Sequence, residues 1–421
     1  MSSRTALAAF RARIPELNGW LFASLFAFLP GHVAPVYALS GLLLLLGLAE
    51  GRFAEKWVQL KADPLFWIFQ AFFWITPLSL LWTEDMTSGW RMVGRYGFFL
   101  ISPLYLSVAR RELAPRCIAF FLAGCLFTEL LAYYNWLQLT AFPEWPRGIR
   151  VQKEATETGP FVDHILYAPI LAWAGYLALH ESLVGSVARR VGFALLAALT
   201  VGNLIFSTGR TGQLTFLVLV GLLVVQRFSR HPLRAAVAAV GLVAGLAVFG
   251  YHTSAPIAAQ VDETLTELQQ RDRVPDTATA LRLAYLTNTL RLAAEHPLAG
   301  VGAGDFDAEY ARLNARYTPT WLTTNNPHNQ YLFTVTTTGI AGGLILLLTY
   351  LPPILWRRRG DALARPRVAL AVFIAVISLF EDYLWRSNTS LLFVLFGTLL
   401  LGQRSLGPLD GRRQGGPNRA E

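Results

Sequence analysis

The chain has 421 residues, of which 54% are hydrophobic and only 15% charged, and its mean hydropathy is +0.41. Soluble domains carry about a quarter of their residues as charges, so an ordinary soluble globular protein is excluded. A net charge of +9 in a soluble chain would invite a nucleic-acid partner. Here the basic excess sits in short stretches between apolar runs, where it sets membrane orientation, and no nucleic acid is expected.

In chain order, Arg4, Arg11 and Arg13 precede the first apolar stretch, a pattern superficially like a signal peptide. Pro30-Gly31-His32 offers no small-residue cleavage site and another apolar run follows at once, so the segment is expected to be retained. Runs such as Leu65–Trp82 approach the roughly 20 residues that cross a hydrocarbon core as a helix, and none alternates as a barrel strand does. The expected class is all-α, a polytopic membrane protein of about twelve spans. These lie near Leu17–His32, Val33–Leu48, Leu65–Trp82, Val93–Val108, Cys117–Leu139 and Phe161–Leu179. In the second half they lie near Val191–Phe206, Leu214–Val225, Ala235–Tyr251, Gln330–Trp356, Val368–Leu384 and Leu391–Leu401. Pro30 and Pro35 fold the first two into a tight hairpin. Cys117 and Cys125 share one expected helix about 12 Å apart along its axis, too far for a disulfide, and no thiolate metal motif exists.

Every second connection is basic: the N-terminal arm, Gly51–Lys61, Arg110–Arg116, Ala188–Arg190, Arg227–Arg234, Arg357–Arg367 and the Arg-rich tail. The alternate ones (Thr83–Gly89, Thr140–Pro160, Ser207–Gln213, Thr253–His328 and Trp385–Asn388) are less so. Positive residues stay inside, so both termini are expected in the cytoplasm of an inner-membrane protein. The division is therefore 1–252 (nine spans), 253–328 (a large external helical loop), 329–402 (three spans) and 403–421 (a cytoplasmic tail). The long loop shows helical periodicity over Val261–Gln270 and Thr277–Glu295, and long folded loops usually carry function.

Three features gather on the external face. Arg210 stands in Ser207-Thr-Gly-Arg-Thr-Gly-Gln-Leu214, where a charge at membrane depth is a functional hypothesis; the flanking glycines would let an anion approach the backbone. Snorkelling to the interface is the plainer reading of the same arginine. Arg282 lies on a loop helix ahead of the turn His296-Pro-Leu-Ala-Gly-Val-Gly302, and alone reads as an ordinary solvated residue. His328 follows Asn325-Asn326-Pro327 and opens the tenth span with Asn329 and Gln330. Amides of this kind orient an imidazole or bind sugar hydroxyls, while Gly339 and Gly342 further along allow close approach of a helix or lipid chain.

Three local matches resemble the O-antigen ligase family, which shares a superfamily with O-antigen polymerases and bacterial protein O-oligosaccharyltransferases. His328-Asn329, nine residues and Gly339-Ile-Ala-Gly342 fit its His-Asn-x9-Gly-x-x-Gly signature. Arg210-x-x-x-Leu214 fits its arginine motif at an outer span end, and Arg282 with the Pro297–Gly302 turn fits its large periplasmic loop. The resemblance implies an inverting glycosyl transfer without metal or cofactor, from a glycan on undecaprenyl pyrophosphate to a hydroxyl of lipid A–core. It also implies that Arg210 and Arg282 hold the pyrophosphate leaving group, and that His328 takes the acceptor proton.

Further substrate-binding candidates are Asn329, Arg91 and Arg95 (one helix face), and Arg147, Arg150 and Lys153 in the Thr140–Pro160 loop. Pairing of these cations with Glu84, Asp85, Glu381 or Asp382 competes with binding of phosphates. Asp163-His164 opens the sixth span, with packing the plainer role for the histidine. Asp305-Phe-Asp307 matches the Asp-x-Asp of metal-dependent transferases, but so short a match is frequent by chance. A polymerase, a protein-glycosylating enzyme and a non-catalytic glycan transporter stand as alternatives; the transporter expects midplane charges and two related halves, which the sequence lacks.

Overall fold

The computed structural model describes residues 3–141, 157–270, 277–351 and 361–402. Among these residues there are eighteen α-helices, two short 3-10 turns and no strand, in agreement with the all-α expectation. The hairpin is α1 (Ser3–Ala27) and α2 (Ala34–Glu50), followed by a short α3 (Phe53–Lys61) bent 117° away. Next comes α4 (Pro64–Ser79), started by Pro64 and capped by Asp63, which accepts the Leu65 N–H at 3.0 Å. The expected fourth span is three pieces, α5 (Met86–Arg95), α6 (Gly97–Leu100) and α7 (Ser102–Val108).

Then α8 (Ala114–Thr140), α9 (His164–Ser182), α10 (Val187–Phe206), α11 (Arg210–Arg227) and α12 (Pro232–Thr253) follow. Cys117 and Cys125 are both buried in α8 and unbridged. The loop folds into α13 (Ala255–Gln270), α14 (Ala278–Glu295) and a further helix that was not expected, α15 (Phe306–Tyr317). The chain closes with α16 (Gln330–Tyr350), α17 (Ala364–Ile377) and α18 (Ser387–Leu401). Among the described residues, five helices are long and apolar enough to cross a membrane, or six if the bent pair α2–α3 counts as one span. The remaining expected spans coincide with shorter or less apolar helices.

The centre is α18, buried from Asn388 to Leu401 on every side, as its all-round apolar sequence requires. Phe396 receives Phe26, Phe121 and Trp173 edge-on, at ring distances of 4.9, 5.1 and 5.4 Å. Edge-to-face pairs of this kind add about 0.5–1.5 kcal/mol each beyond their buried area.

Connections meet in two groups. Asp305 bonds the backbone of Glu84 and Asp85, Gln260 bonds Ser207, Tyr383 bonds Ile165, and Asn388 bonds Gly31. At the other end Arg110 bonds Pro15, Arg111 pairs with Asp361, and Gln226 bonds Arg365. The two groups coincide with the less basic and the basic connections of the sequence.

Candidate active site

The signature glycines of α16 have a structural cause different from the one expected. Gly339, at φ 71°, breaks the helix into two halves. Into the break docks the turn after α14. Val301 N–H donates to Thr336 O at 2.8 Å, Gly302 N–H to Thr337 O at 3.0 Å, and Ile340 N–H to Pro297 O at 2.9 Å. Carbonyls orphaned by the break are thus satisfied by loop backbone. A Cβ on Gly339 would collide with Leu298 O, and one on Gly300 (φ 70°) would lie 2.6 Å from Thr337 C. The Pro-x-x-Gly-x-Gly turn and Gly339 are two halves of one joint, whereas a Cβ on Gly342 would meet Thr338 of the same helix.

At the start of α16, Asn329 Oδ1 accepts the Leu332 N–H at 3.0 Å and its Nδ2 donates to Leu379 O at 3.2 Å. Its amide is committed to capping and to holding the connection between α17 and α18. Gln330 does the same work: its Oε1 accepts from Leu384 N–H at 2.9 Å and its backbone N–H donates to Ser378 O at 2.9 Å. This connection, residues 378–386, was expected to be the end of a span, but α17 stops at Ile377.

His328 lies on the turn just before, in the left-handed region at φ 52°. Its N–H donates to Asn326 Oδ1 at 2.7 Å, which holds the turn closed. The imidazole Nδ1 is 2.7 Å from Glu381 Oε2, and Asn326 Nδ2 bonds the other oxygen of the same carboxylate. His328 is 27% exposed at its side chain and Glu381 3%. Tyr285 of α14 stacks on the imidazole with ring centroids 6.0 Å apart.

Burial alone would raise the Glu381 pKa, but hydrogen bonds from His328, Asp382 and Asn326 outweigh it, and the carboxyl is held well below the usual range. Burial, followed by the hydrogen bond and charge of Glu381, pushes Asp382 the other way, well above it. The neighbours are therefore pushed apart, Glu381 toward the carboxylate and Asp382 toward the neutral acid. An ionised Glu381 favours the tautomer that donates Nδ1–H, in which Nε2 is the accepting nitrogen.

Arg282 is exposed on α14, one turn before Tyr285 and on the same helix face. It also joins Thr211 in acting on the Tyr383 hydroxyl: burial first, then Glu381 and Asp163, raise that group, while Thr211 and Arg282 pull it down. Tyr383 thus gathers the flanks of all three sequence features. Arg210 itself is turned to α13, bonding Thr264 Oγ1 at 2.9 Å and pairing with Glu263. Its glycines are also explained by packing rather than by an anion, since a Cβ on Gly209 or Gly212 would strike Ala168 of α9.

Arg91 and Arg95 are exposed on α5. Arg91 acts electrostatically on Asp85 and Asp307, and Arg95 lies over the Trp385 ring at 5.2 Å, where Arg386 also stands at 5.6 Å. Among the described residues neither Arg91 nor Arg95 makes an ion pair with the acids proposed for them. Arg386 instead approaches Glu381 at 3.6 Å. Arg147, Arg150 and Lys153 lie outside the described residues. Asp305 of the Asp-x-Asp stretch accepts the N–H groups of Glu84 and Asp85, both at 2.8 Å. That carboxylate ties the loop to the α4–α5 connection.

A family model described as O-antigen ligase matches residues 195–347, which contain Arg210, Arg282, His328 and both signature glycines. This segment is therefore similar to the O-antigen ligase family. Members of the O-antigen ligase family are glycosyltransferase-like enzymes. No curated protein matches the chain. Glu381 falls outside the matched O-antigen ligase segment, and its role was missed in the sequence. The signal available was an adjacent Glu-Asp inside an otherwise apolar expected span. Asn326, which bonds both Glu381 and the His328 backbone, is one of the amides singled out around the histidine, whereas Tyr285, which stacks on the imidazole, carried no distinguishing pattern.

Proposed function

We propose that the protein is an O-antigen ligase of the bacterial inner membrane. It would move a glycan from undecaprenyl pyrophosphate to a hydroxyl of lipid A–core on the periplasmic face, with inversion and without metal, and both termini would lie in the cytoplasm. The observation that carries this reading is the His328–Glu381 pair at 2.7 Å, with Arg282 one turn from the tyrosine that stacks on the imidazole.

In this mechanism Nε2 of His328 accepts the proton of the acceptor hydroxyl, whose oxygen attacks the anomeric carbon. The bond from that carbon to the pyrophosphate oxygen breaks, and its electron pair leaves with the diphosphate. Guanidinium forks match phosphate oxygens, so Arg282 stabilises the departing charge. Arg210 joins it by exchanging Glu263 for the diphosphate. Asn329 serves by fixing His328 at the start of α16, and Arg91, Arg95, Arg147, Arg150 and Lys153 are the cations offered to acceptor phosphates.

The test is transfer by purified protein from undecaprenyl-pyrophosphate glycan to purified lipid A–core, with a chelator present. A lipid A–core product bearing the glycan supports the ligase. Glycan lengthened on the lipid carrier, with lipid A–core untouched, would make it a polymerase instead.

A further inference from the structure

The fold carries a second polar site, at the opposite end from His328. There the corner between α2 and α3 closes a cavity of about 110 Å3 against the middle of α1 and the end of α7. A second cavity of about 250 Å3 continues it between α3 and α7, sharing Lys56, Gln59 and Ser107 and reaching the apolar Leu60 and Leu106. Gly51 (φ 74°) and Arg52 (φ 57°) in succession make the corner. The helix they start, α3, leaves Phe53, Trp57 and Val58 exposed. An amphipathic helix of this kind lies in the membrane interface, which sets the groove at head-group depth.

Asn18 lines the first cavity and is only 2% exposed, yet among the described residues its Oδ1 has no hydrogen-bond partner. A buried carbonyl oxygen left without a donor is costly, so a ligand that donates is favoured there. Three cations (Arg52, Lys56, Arg110) and two acids (Glu50, Glu55) surround it, one positive charge in excess. Lys56 Nζ bonds Glu50 at 2.7 Å and Gly47 O at 3.2 Å, which uses two of its three donors. Arg110 gives Nη2 to Pro15 O at 3.1 Å, one of the five donors of its guanidinium.

We propose that this groove binds a phospholipid head group, with the phosphodiester on Lys56 and Arg110 and a terminal ammonium or hydroxyl donating to Asn18 Oδ1. The apolar continuation past Leu60 and Leu106 receives the start of the acyl chains. Ethanolamine and glycerol head groups meet these demands; choline, which has no donor, does not.

Native mass spectrometry of the full chain in detergent tests the proposal, with phosphatidylethanolamine, phosphatidylglycerol, phosphatidylcholine and glycerol phosphate as probes. The first two should bind about tenfold or more tightly than the choline lipid, the worth of one satisfied donor–acceptor pair. Asn18→Leu and, at the half-buried Lys56, Lys56→Gln should each weaken them about tenfold. Equal binding of the choline lipid, or unaltered binding in a folded Lys56→Gln, would overturn the proposal. So would glycerol phosphate binding as tightly as the lipids, which would make this a soluble-phosphate site.

Discussion

His328 Nδ1 and Glu381 Oε2 lie 2.7 Å apart although 53 residues separate them in sequence. The carboxylate is nearly buried and the ring partly open, so the pair presents one nitrogen inward and the other toward the space a substrate would use. The arrangement has the logic of an oriented general base: an acid fixes the tautomer, and the exposed nitrogen accepts.

Replacing His328 by Ala should lower transfer by about 10²- to 10⁴-fold, the ordinary contribution of a general base. Glu381→Gln should lower kcat by about 10²-fold or more, because an amide no longer dictates which ring nitrogen carries the proton. Both variants should keep wild-type protein levels in the membrane. Wild-type kcat in Glu381→Gln would remove the orienting role.

Asp382 should tolerate Asn, since the neutral amide stands in for a carboxyl that burial and Glu381 push toward its neutral form. The sign follows from the raised folded-state pKa. Asp382 favours the folded state fully only below its ordinary value near 3.8, and this contribution is lost as pH rises toward the raised value. Glu381, with its lowered pKa, contributes above its ordinary 4.5 and loses that contribution as pH falls. Relative to wild type, the thermal midpoint of Asp382→Asn should therefore improve from mildly acidic to neutral buffer. A midpoint that falls over that range would contradict a protonated Asp382.

Gly339→Ala should destabilise by about 2 kcal/mol or more, through the positive φ and the collision with Leu298 O. Loss of activity should accompany it, as the turn after α14 leaves its seat. Thermal unfolding followed by tryptophan fluorescence, measured beside transfer, checks both. An unchanged midpoint would mean that the backbone joint is not rigid.

Arg210 is held by Glu263 before any donor arrives, and the pair is largely exposed. Such pairs are worth about 0–1 kcal/mol, so Glu263→Gln should lower the KM for the lipid-linked donor by no more than about fivefold. Arg210→Ala should raise it and reduce kcat. A higher donor KM in Glu263→Gln would show that the acid assists binding rather than competing with the diphosphate.

Much of this was readable along the chain because membrane helices announce themselves locally. Long apolar runs and alternating basic connections anticipated the helices from Leu65 to Tyr251, and the periodicity ahead of Pro297 anticipated α14. The helix Phe306–Tyr317 was also within reach, since Phe306, Tyr310, Leu313 and Tyr317 recur at helical spacing, but its polar composition hid it. The partners of the site were not readable, because each lies far off in sequence. Nothing near His328 points to Glu381, and nothing near Gly339 points to Pro297. The glycines of the arginine motif looked like room for an anion and are instead room for Ala168. Small residues report that something comes close, and only the fold says what.

The break at Gly339 has a mechanical consequence. Three backbone hydrogen bonds weld the turn after α14 to the two halves of α16, while Asp305 fastens the same stretch to the top of α4. Tyr285, Arg282 and His328 are thereby carried on one stiff bracket. An incoming lipid can pull that bracket as a whole, but it cannot part the base from its neighbouring arginine without first breaking the weld.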